Sequence, residues 1–92
     1  MSRGYRSRVK ILYDILKQVK ILESKEGIAK PTKIMYRANL SYERMKTYLD
    51  ELTEKNLIEK CEEGYRITSE GDKMLNELER VISLLKTFGF EP

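Results

Sequence analysis

The sequence predicts a mainly α-helical fold with one small β-hairpin, in the α+β class, formed by a single domain over residues 1–92. Three observations support this prediction. Apolar residues recur at helical spacing near both ends of the chain, residues 38–42 have the chemistry of a tight helical corner, and two short strand-like runs flank a glycine after it. With 36% charged and 40% hydrophobic residues, the chain has the composition of a folded globular domain.

The first helix is predicted from Arg8 to about Glu23, after a basic arm at residues 1–6. A loop at residues 24–30 follows, with Gly27 as the helix breaker. The apolar residues of this helix are spaced by three and four, which is typical of an amphipathic helix with one buried face. They are Val9, Leu12, Ile15, Leu16, Val19 and Leu22, and Ile11 and Ile21 widen the stripe.

The second and third helices are predicted to meet at a tight corner. Pro31 suits a first helical turn, where its missing N–H is not needed, and Asn39 can take the left-handed conformation that ends a helix. Ser41 is a good N-cap for the next helix. Leu40 and Met45 flank that cap at the spacing of a hydrophobic staple, which would fix the angle between the two helices.

The third helix is predicted over residues 42–55, and a hairpin follows it. Residues 57–61 and 65–68 have strand character, and Glu62, Glu63 and Gly64 would form the turn between them. Two helices joined by a tight corner and followed by a short hairpin describe a winged helix-turn-helix, so we predict that fold for residues 8–68.

The last helix is predicted over residues 69–88, with Thr68 as its N-cap. Its apolar residues form an a/d-type seam with a second stripe beside it, which favours a homodimer that pairs through this helix. The predicted interface comprises Met74, Leu78, Val81, Ile82, Leu85 and Phe88. The alternative is that both stripes pack on the first helix of the same chain.

Residues 31–42, together with Tyr48, Leu52, Tyr65 and Gly71, resemble a family of small archaeal winged-helix proteins. That family includes chromatin-type DNA-binding proteins, which dimerise through a C-terminal helix, and predicted transcriptional regulators. The resemblance implies a winged helix, a homodimer and double-stranded DNA as partner. The chain departs from the chromatin-type members in its shorter last helix and in its acidic third helix.

Charge is distributed unevenly and favours a polyanionic partner for the first half of the chain. Residues 1–40 hold ten Lys/Arg and three Asp/Glu, a net charge of +7, whereas residues 41–92 hold eight and twelve, a net charge of −4. In a helix-turn-helix the second helix of the motif enters the major groove and the first crosses the phosphate backbone. The predicted DNA-binding residues are therefore Lys33, Arg37, Tyr42, Arg44, Lys46, Thr47 and Arg66, with Arg3, Arg6 and Arg8 as an arm in an adjacent groove.

Acidic residues on the third helix limit this interpretation. Glu43, Asp50 and Glu54 would lie opposite its buried stripe, so only its N-terminal half suits base contact. A winged helix that binds another protein and not DNA is the alternative function, and it is motivated by this acidic face.

Enzyme chemistry is not predicted, because the chain has no His, no glycine-rich phosphate loop and no metal-ligand spacing. No cofactor is expected. The lone Cys61 indicates a reducing compartment, and no apolar run is long enough for a membrane span, so a cytoplasmic protein is expected. A transcriptional regulator and a small chromatin protein both fit these features.

Overall fold

The computed structural model describes residues 6–92 and orders them as three helices, a hairpin and a fourth helix. The elements are α1 (Arg8–Glu26), α2 (Pro31–Ala38), α3 (Tyr42–Glu54), β1 (Ile58–Lys60), β2 (Tyr65–Ile67) and α4 (Ser69–Thr87). This order confirms the predicted mainly α fold with one hairpin. Within residues 6–92, no helix is long and apolar enough to cross a membrane.

Helix α1 begins and ends where local chemistry requires. The Ser7 hydroxyl accepts a hydrogen bond from the Lys10 backbone N–H, which caps the first turn. Gly27 ends the helix at φ 85°, a left-handed conformation that glycine adopts without steric cost. The helix is three residues longer than predicted, since nothing before Gly27 stops it.

The corner between α2 and α3 confirms the predicted turn chemistry. Asn39 lies at φ 56°, its N–H points back at the Tyr36 carbonyl, and the Leu40 N–H donates to the Met35 carbonyl over 3.1 Å. The Ser41 hydroxyl accepts from the Arg44 N–H at 3.2 Å. Met45 is fully buried while Leu40 packs on the same core, as the staple requires.

The hairpin is shorter than predicted, with three residues in each strand. Ile58 pairs with Ile67 and Lys60 with Tyr65 in an antiparallel register. A further bridge joins Tyr65 to Ala29, through two N–H to carbonyl bonds of 2.9 Å each. This bridge ties the hairpin to the loop before α2, which places the wing beside the helix-turn-helix.

Helix α4 returns along α1 in the opposite direction. The Tyr13 hydroxyl donates to Glu79 over 3.1 Å, while Lys20, further along α1, pairs with Asp72 near the start of α4. Thr68 caps the helix, accepting from the Gly71 N–H at 3.0 Å. These contacts fix α4 on α1.

Helix α1 lies at the centre of the hydrophobic core, in contact with α2, β2 and α4. Buried apolar side chains come from all four helices, from both strands and from the loop before α2. They are Ile11, Tyr13, Ile15, Leu16, Val19, Leu22, Ala29, Ile34, Ala38, Met45, Leu49, Leu52, Ile58, Tyr65, Leu75 and Ile82. Because this core supports α2 and α3 from beneath, the outer faces of these two helices remain available to a partner.

Candidate nucleic-acid interface

The outer face of α2 presents basic side chains around an exposed aromatic ring. Arg37 is exposed, and among residues 6–92 it has no acidic partner. Lys33 pairs with Glu26 at 2.7 Å, and this hydrogen bond holds the pKa of Glu26 below its ordinary value. Tyr36 lies between these cations in sequence and is 85% exposed. The face therefore combines positive charge with a ring that could contact a ligand.

Sequence reasoning missed Tyr36, although a signal for it exists. The buried stripe of α2 consists of Ile34 and Ala38, and Tyr36 falls between them on the opposite side of the helix. A large aromatic residue off the apolar stripe of an eight-residue helix has no core to enter. Its exposure follows directly from that spacing.

The first turns of α3 carry the other predicted contacts. Arg44 is exposed and makes no ion pair within residues 6–92, and Tyr42 is 55% exposed. Lys46 pairs with Asp50 at 2.8 Å, and this hydrogen bond raises the pKa of Lys46 above its ordinary value. The Thr47 hydroxyl donates to the Glu43 carbonyl at 3.0 Å. Arg44 is thus the cation of this helix that a ligand reaches without breaking an internal contact.

Acidic residues occupy the rest of the exposed surface of α3. Glu43, Asp50 and Glu54 are all exposed, as the helical spacing predicts. At the hairpin tip Glu62 and Glu63 are exposed as well, and the Arg66 side chain donates to the Gly27 carbonyl at 3.3 Å. Positive potential is therefore concentrated on α2 and on the start of α3, away from the hairpin.

Arg6 and Arg8, predicted as part of a groove-tracking arm, are instead engaged within the domain. The Arg6 guanidinium donates to Asp14 at 2.7 Å and to the Asn39 carbonyl at 2.8 Å. Arg8 pairs with Glu51 and lies 5.6 Å from the centre of the Tyr48 ring. Asp14 lies 8 residues from Arg6 and Glu51 lies 43 residues from Arg8, so the three- and four-residue spacing of helical pairs could not reveal either partner. Arg3, the third arm residue, lies outside the described residues.

An apolar stripe on α4 is exposed, but it differs in detail from the predicted seam. Val81, Leu84 and Phe88 are 46%, 58% and 70% exposed, and Phe90 beyond the helix is 63% exposed. Ile82 is only 6% exposed and lies in the core of its own chain. Ile82, a residue of the predicted interface, therefore lies on the buried side of α4. Met74, Leu78 and Leu85 are half-buried between the two stripes.

Side-chain clusters suited to metal chemistry are absent from the described part of the chain. No group of three or more His, Cys, Asp or Glu side chains comes together there. Cys61 is a free thiol, half-buried next to the hairpin turn. The arrangement on α2 and α3 is suited to binding an anion by charge and hydrogen bonding.

Comparisons with known proteins agree with this architecture. The sequence profile of a family described as winged helix-turn-helix matches residues 5–86. Two uncharacterized proteins of the archaeon Methanocaldococcus jannaschii are similar to the chain. MJ0290 is 35% identical over 80 residues, which are 87% of this chain and 36% of that protein. MJ0287 is 30% identical over 87 residues, which are 94% of this chain and 84% of that protein.

A solved structure has the same fold. Sso10a-2, a DNA-binding protein from Sulfolobus solfataricus, matches with a TM-score of 0.73 over 90% of this chain and 85% of that chain. The two sequences are 23% identical, so the likeness concerns the fold. Together with the archaeal relatives, it confirms the resemblance to small archaeal winged-helix proteins.

Proposed function

The chain belongs to the winged helix-turn-helix family, and on that premise we propose that it binds double-stranded DNA as a homodimer. The observation that supports this proposal most strongly is the cationic face formed by α2 and the first turn of α3. Lys33, Arg37 and Arg44 are all exposed there. The DNA-binding description of Sso10a-2, which has the same fold, points the same way.

The mechanism we propose is a grip on the phosphate backbone with limited base readout. Lys33 and Arg37 on α2 contact phosphates of the DNA, and the Tyr36 hydroxyl adds a neutral hydrogen bond to the DNA backbone. Arg44 enters the major groove at the start of α3, with Tyr42, Lys46 and Thr47 beside it. Lys46 leaves Asp50 to contact a phosphate, because an exposed ion pair such as Lys46–Asp50 costs little free energy to break.

The acidic parts of the molecule set the limits of this grip. Carboxylates at Asp50 and Glu54 repel phosphates, so α3 meets the groove with its N-terminal turns only. Glu62 and Glu63 keep the hairpin tip away from the duplex in the same way. Arg66, in the middle of β2, is a further phosphate contact in this arrangement, because its bond to the Gly27 carbonyl is exposed.

Binding to duplex DNA is expected to weaken steeply with salt. If a dimer places three cations per protomer on phosphates, the slope of log K against log salt is about −5, and affinity falls roughly a thousandfold from about 50 to 200 mM salt. Fluorescence anisotropy with a labelled duplex at several salt concentrations measures this slope. A slope near zero, or undetectable binding at low salt, would contradict the proposal and favour the protein-binding alternative.

Dimerisation is proposed through the exposed stripe of Val81, Leu84 and Phe88 on α4. Apolar side chains this exposed, contiguous along one helix face, gain stability when a second copy covers them. We expect the wild type to be a dimer by light scattering and Leu84→Asp to be a monomer, since the substitution places a charge in the buried seam. Asn76→Asp, an equal charge change at an exposed position off the stripe, should remain dimeric. A monomeric wild type would refute this interface.

Two biological roles fit this proposal, a transcriptional regulator and a small chromatin protein, both acting as binding proteins in the cytoplasm and neither as an enzyme. A chromatin role predicts similar affinity for unrelated duplexes, because phosphates carry no sequence information. A regulator predicts a preferred site that unrelated duplexes compete for poorly. Selection from a random duplex library separates the two.

A winged helix that binds a protein partner is the second candidate function. It is supported by the exposed carboxylates of Glu43, Asp50 and Glu54 on the helix that would otherwise enter DNA. Such a face suits a basic protein surface better than a polyanion.

A further inference from the structure

Arg6 joins the first helix to the corner of the helix-turn-helix through two hydrogen bonds. One guanidinium nitrogen donates to Asp14 Oδ2 at 2.7 Å, and the other donates to the Asn39 carbonyl oxygen at 2.8 Å. The Arg6 side chain is only 24% exposed, and Asp14 is 18% exposed. The bond to the Asn39 carbonyl spans 33 residues of sequence and is exposed to solvent, whereas the bond to Asp14 is partly buried.

The position of the Asn39 carbonyl makes this contact consequential. Asn39 is the left-handed residue that ends α2, and Ser41, two residues later, caps α3. Carbonyls at a helix end have no partner within the helix, so an arginine that donates to one stabilises the corner. Its planar guanidinium can hold Asp14 and the carbonyl together, which a lysine ammonium on a flexible stem does poorly.

Arg8 makes a matching contact on the third helix. It forms an ion pair with Glu51 and lies over the Tyr48 ring, both of which belong to α3. Two arginines spaced by two residues thus hold the corner and the helix that follows it. We call Arg6 and Arg8, with their partners, the arginine clasp.

We propose that the arginine clasp sets the orientation of α3 for DNA, and that Arg6 acts as a positioning residue that touches no phosphate. This inference rests on the proposed DNA binding. The Arg6 guanidinium is held by two acceptors, Asp14 and the Asn39 carbonyl, and its side chain is only 24% exposed, so we expect it to stay in place and to release no counterion when the duplex binds. The contact to Asn39 instead limits the freedom of the corner, and a corner ordered in advance lowers the entropy that binding must otherwise remove.

The salt dependence of DNA binding distinguishes positioning from contact. An arginine on a phosphate contributes about 0.9 to the slope of log K against log salt, whereas a positioning arginine contributes nothing to it. We expect Arg6→Gln to lower duplex affinity roughly fivefold, equivalent to about 1 kcal/mol, with an unchanged slope. Arg6→Lys keeps the charge but cannot bridge both acceptors, so it should lose affinity almost as fully.

Lys10 supplies a matched control. It pairs with Asp14 at 2.7 Å, as Arg6 does, but it does not reach the corner. Lys10→Gln therefore removes the same charge beside the same carboxylate and should keep wild-type affinity. If Arg6→Lys restores full affinity, or if Arg6→Gln lowers the slope by about one per protomer, Arg6 contacts phosphate and the inference is wrong.

A measurement without DNA separates failure of this inference from failure of the proposed function. Hydrogen exchange reports local opening of the corner, and the Leu40 N–H, which donates to Met35, is its most direct probe. We expect Arg6→Gln and Arg6→Lys to speed exchange at Leu40 about fivefold and Lys10→Gln to leave it unchanged. Unchanged exchange at Leu40 in the Arg6 variants would overturn the clasp whether or not the protein binds DNA.

Discussion

Gly71→Ala is expected to destabilise the domain severely, by about 3 kcal/mol, from overpacking combined with disruption of a helix cap. A Cβ atom at position 71 would lie 1.9 Å from the Leu57 carbonyl oxygen and 2.8 Å from Ile67 Cγ1. The first of these neighbours is backbone and cannot rotate away. Relief therefore requires α4 to move from the hairpin base.

The Leu57 carbonyl is a shared acceptor, which raises the cost of such a movement. It receives the Thr68 N–H at 3.2 Å and shares the Thr68 hydroxyl proton, at 3.0 Å, with the Asn56 carbonyl at 2.8 Å. The oxygen of that hydroxyl in turn accepts from the Gly71 N–H. Shifting Gly71 outward strains these bonds. The helix-favouring effect of alanine, about 1 kcal/mol, does not offset this loss.

Urea denaturation of Gly71→Ala beside the wild type measures the effect. Gly89→Ala is a suitable control, since a Cβ there meets no atom within 4 Å and only its φ of 85° opposes the change. The free energy of unfolding of Gly89→Ala should fall by about 1 kcal/mol. Equal urea midpoints for Gly71→Ala and the wild type would contradict this expectation, because they would show that α4 and the hairpin can move apart without loss of stability.

Reversing both cations of α2 is expected to lower duplex affinity by about 100- to 1,000-fold at low salt. The double variant Lys33→Glu/Arg37→Glu removes two proposed phosphate contacts and replaces them with repulsion. The salt slope should fall in magnitude by about two per protomer, and the loss should be uniform across unrelated duplexes. The Lys33→Glu substitution also removes the ion-pair partner of Glu26, so circular dichroism should verify that the fold is retained.

A control of equal charge is Lys17→Glu/Lys86→Glu. Both side chains are exposed on the α4 side of the domain, where Lys17 lies 5.4 Å from the centre of the Tyr13 ring. Net charge changes by the same amount in the two double variants, so a difference between them reports position. Equal affinity of the α2 variant and the wild type would count for the protein-binding alternative.

Local chemistry explains why so much of the fold could be predicted from the sequence. Gly27, Asn39, Ser41 and Thr68 act on backbone groups within a few residues of themselves. The structure has Asn39, Ser41 and Thr68 at the predicted helix boundaries, and Gly27 ends α1 three residues beyond its predicted end. Helical spacing likewise located the buried face of α3 and most of that of α1, although Val9, predicted for the buried stripe, is 41% exposed. Such signals depend on no distant contact.

Long-range contacts account for what sequence reasoning missed. The Glu23 carboxylate accepts the Ile67 N–H at 2.8 Å, across 44 residues, and Arg6 reaches Asn39 across 33. No periodicity encodes such pairs. Leu84 was missed for another reason, since it lies outside both predicted stripes and only packing shows that it shares an exposed face with Val81 and Phe88.

The candidate site was predicted in part, for the same physical reason. Arg37 and Arg44 are exposed as expected, because exposure follows from the helix face. Whether an exposed cation forms an ion pair does not follow from the helix face. Lys33, Lys46 and Arg8 have carboxylate partners, and those partners come from spacing in one case and from tertiary folding in the other two.

The way the hairpin is fixed has a consequence for how such domains diversify. Strand β2 is attached at both of its ends, through the Ala29–Tyr65 bridge and the Glu23–Ile67 bond, whereas Glu62 and Glu63 in the turn are exposed. Extra residues between those two glutamates would lengthen the loop at a cost of only about 0.6 kcal/mol per doubling of its length. Wing reach can therefore change through insertion in evolution while the core and the helical corner stay the same.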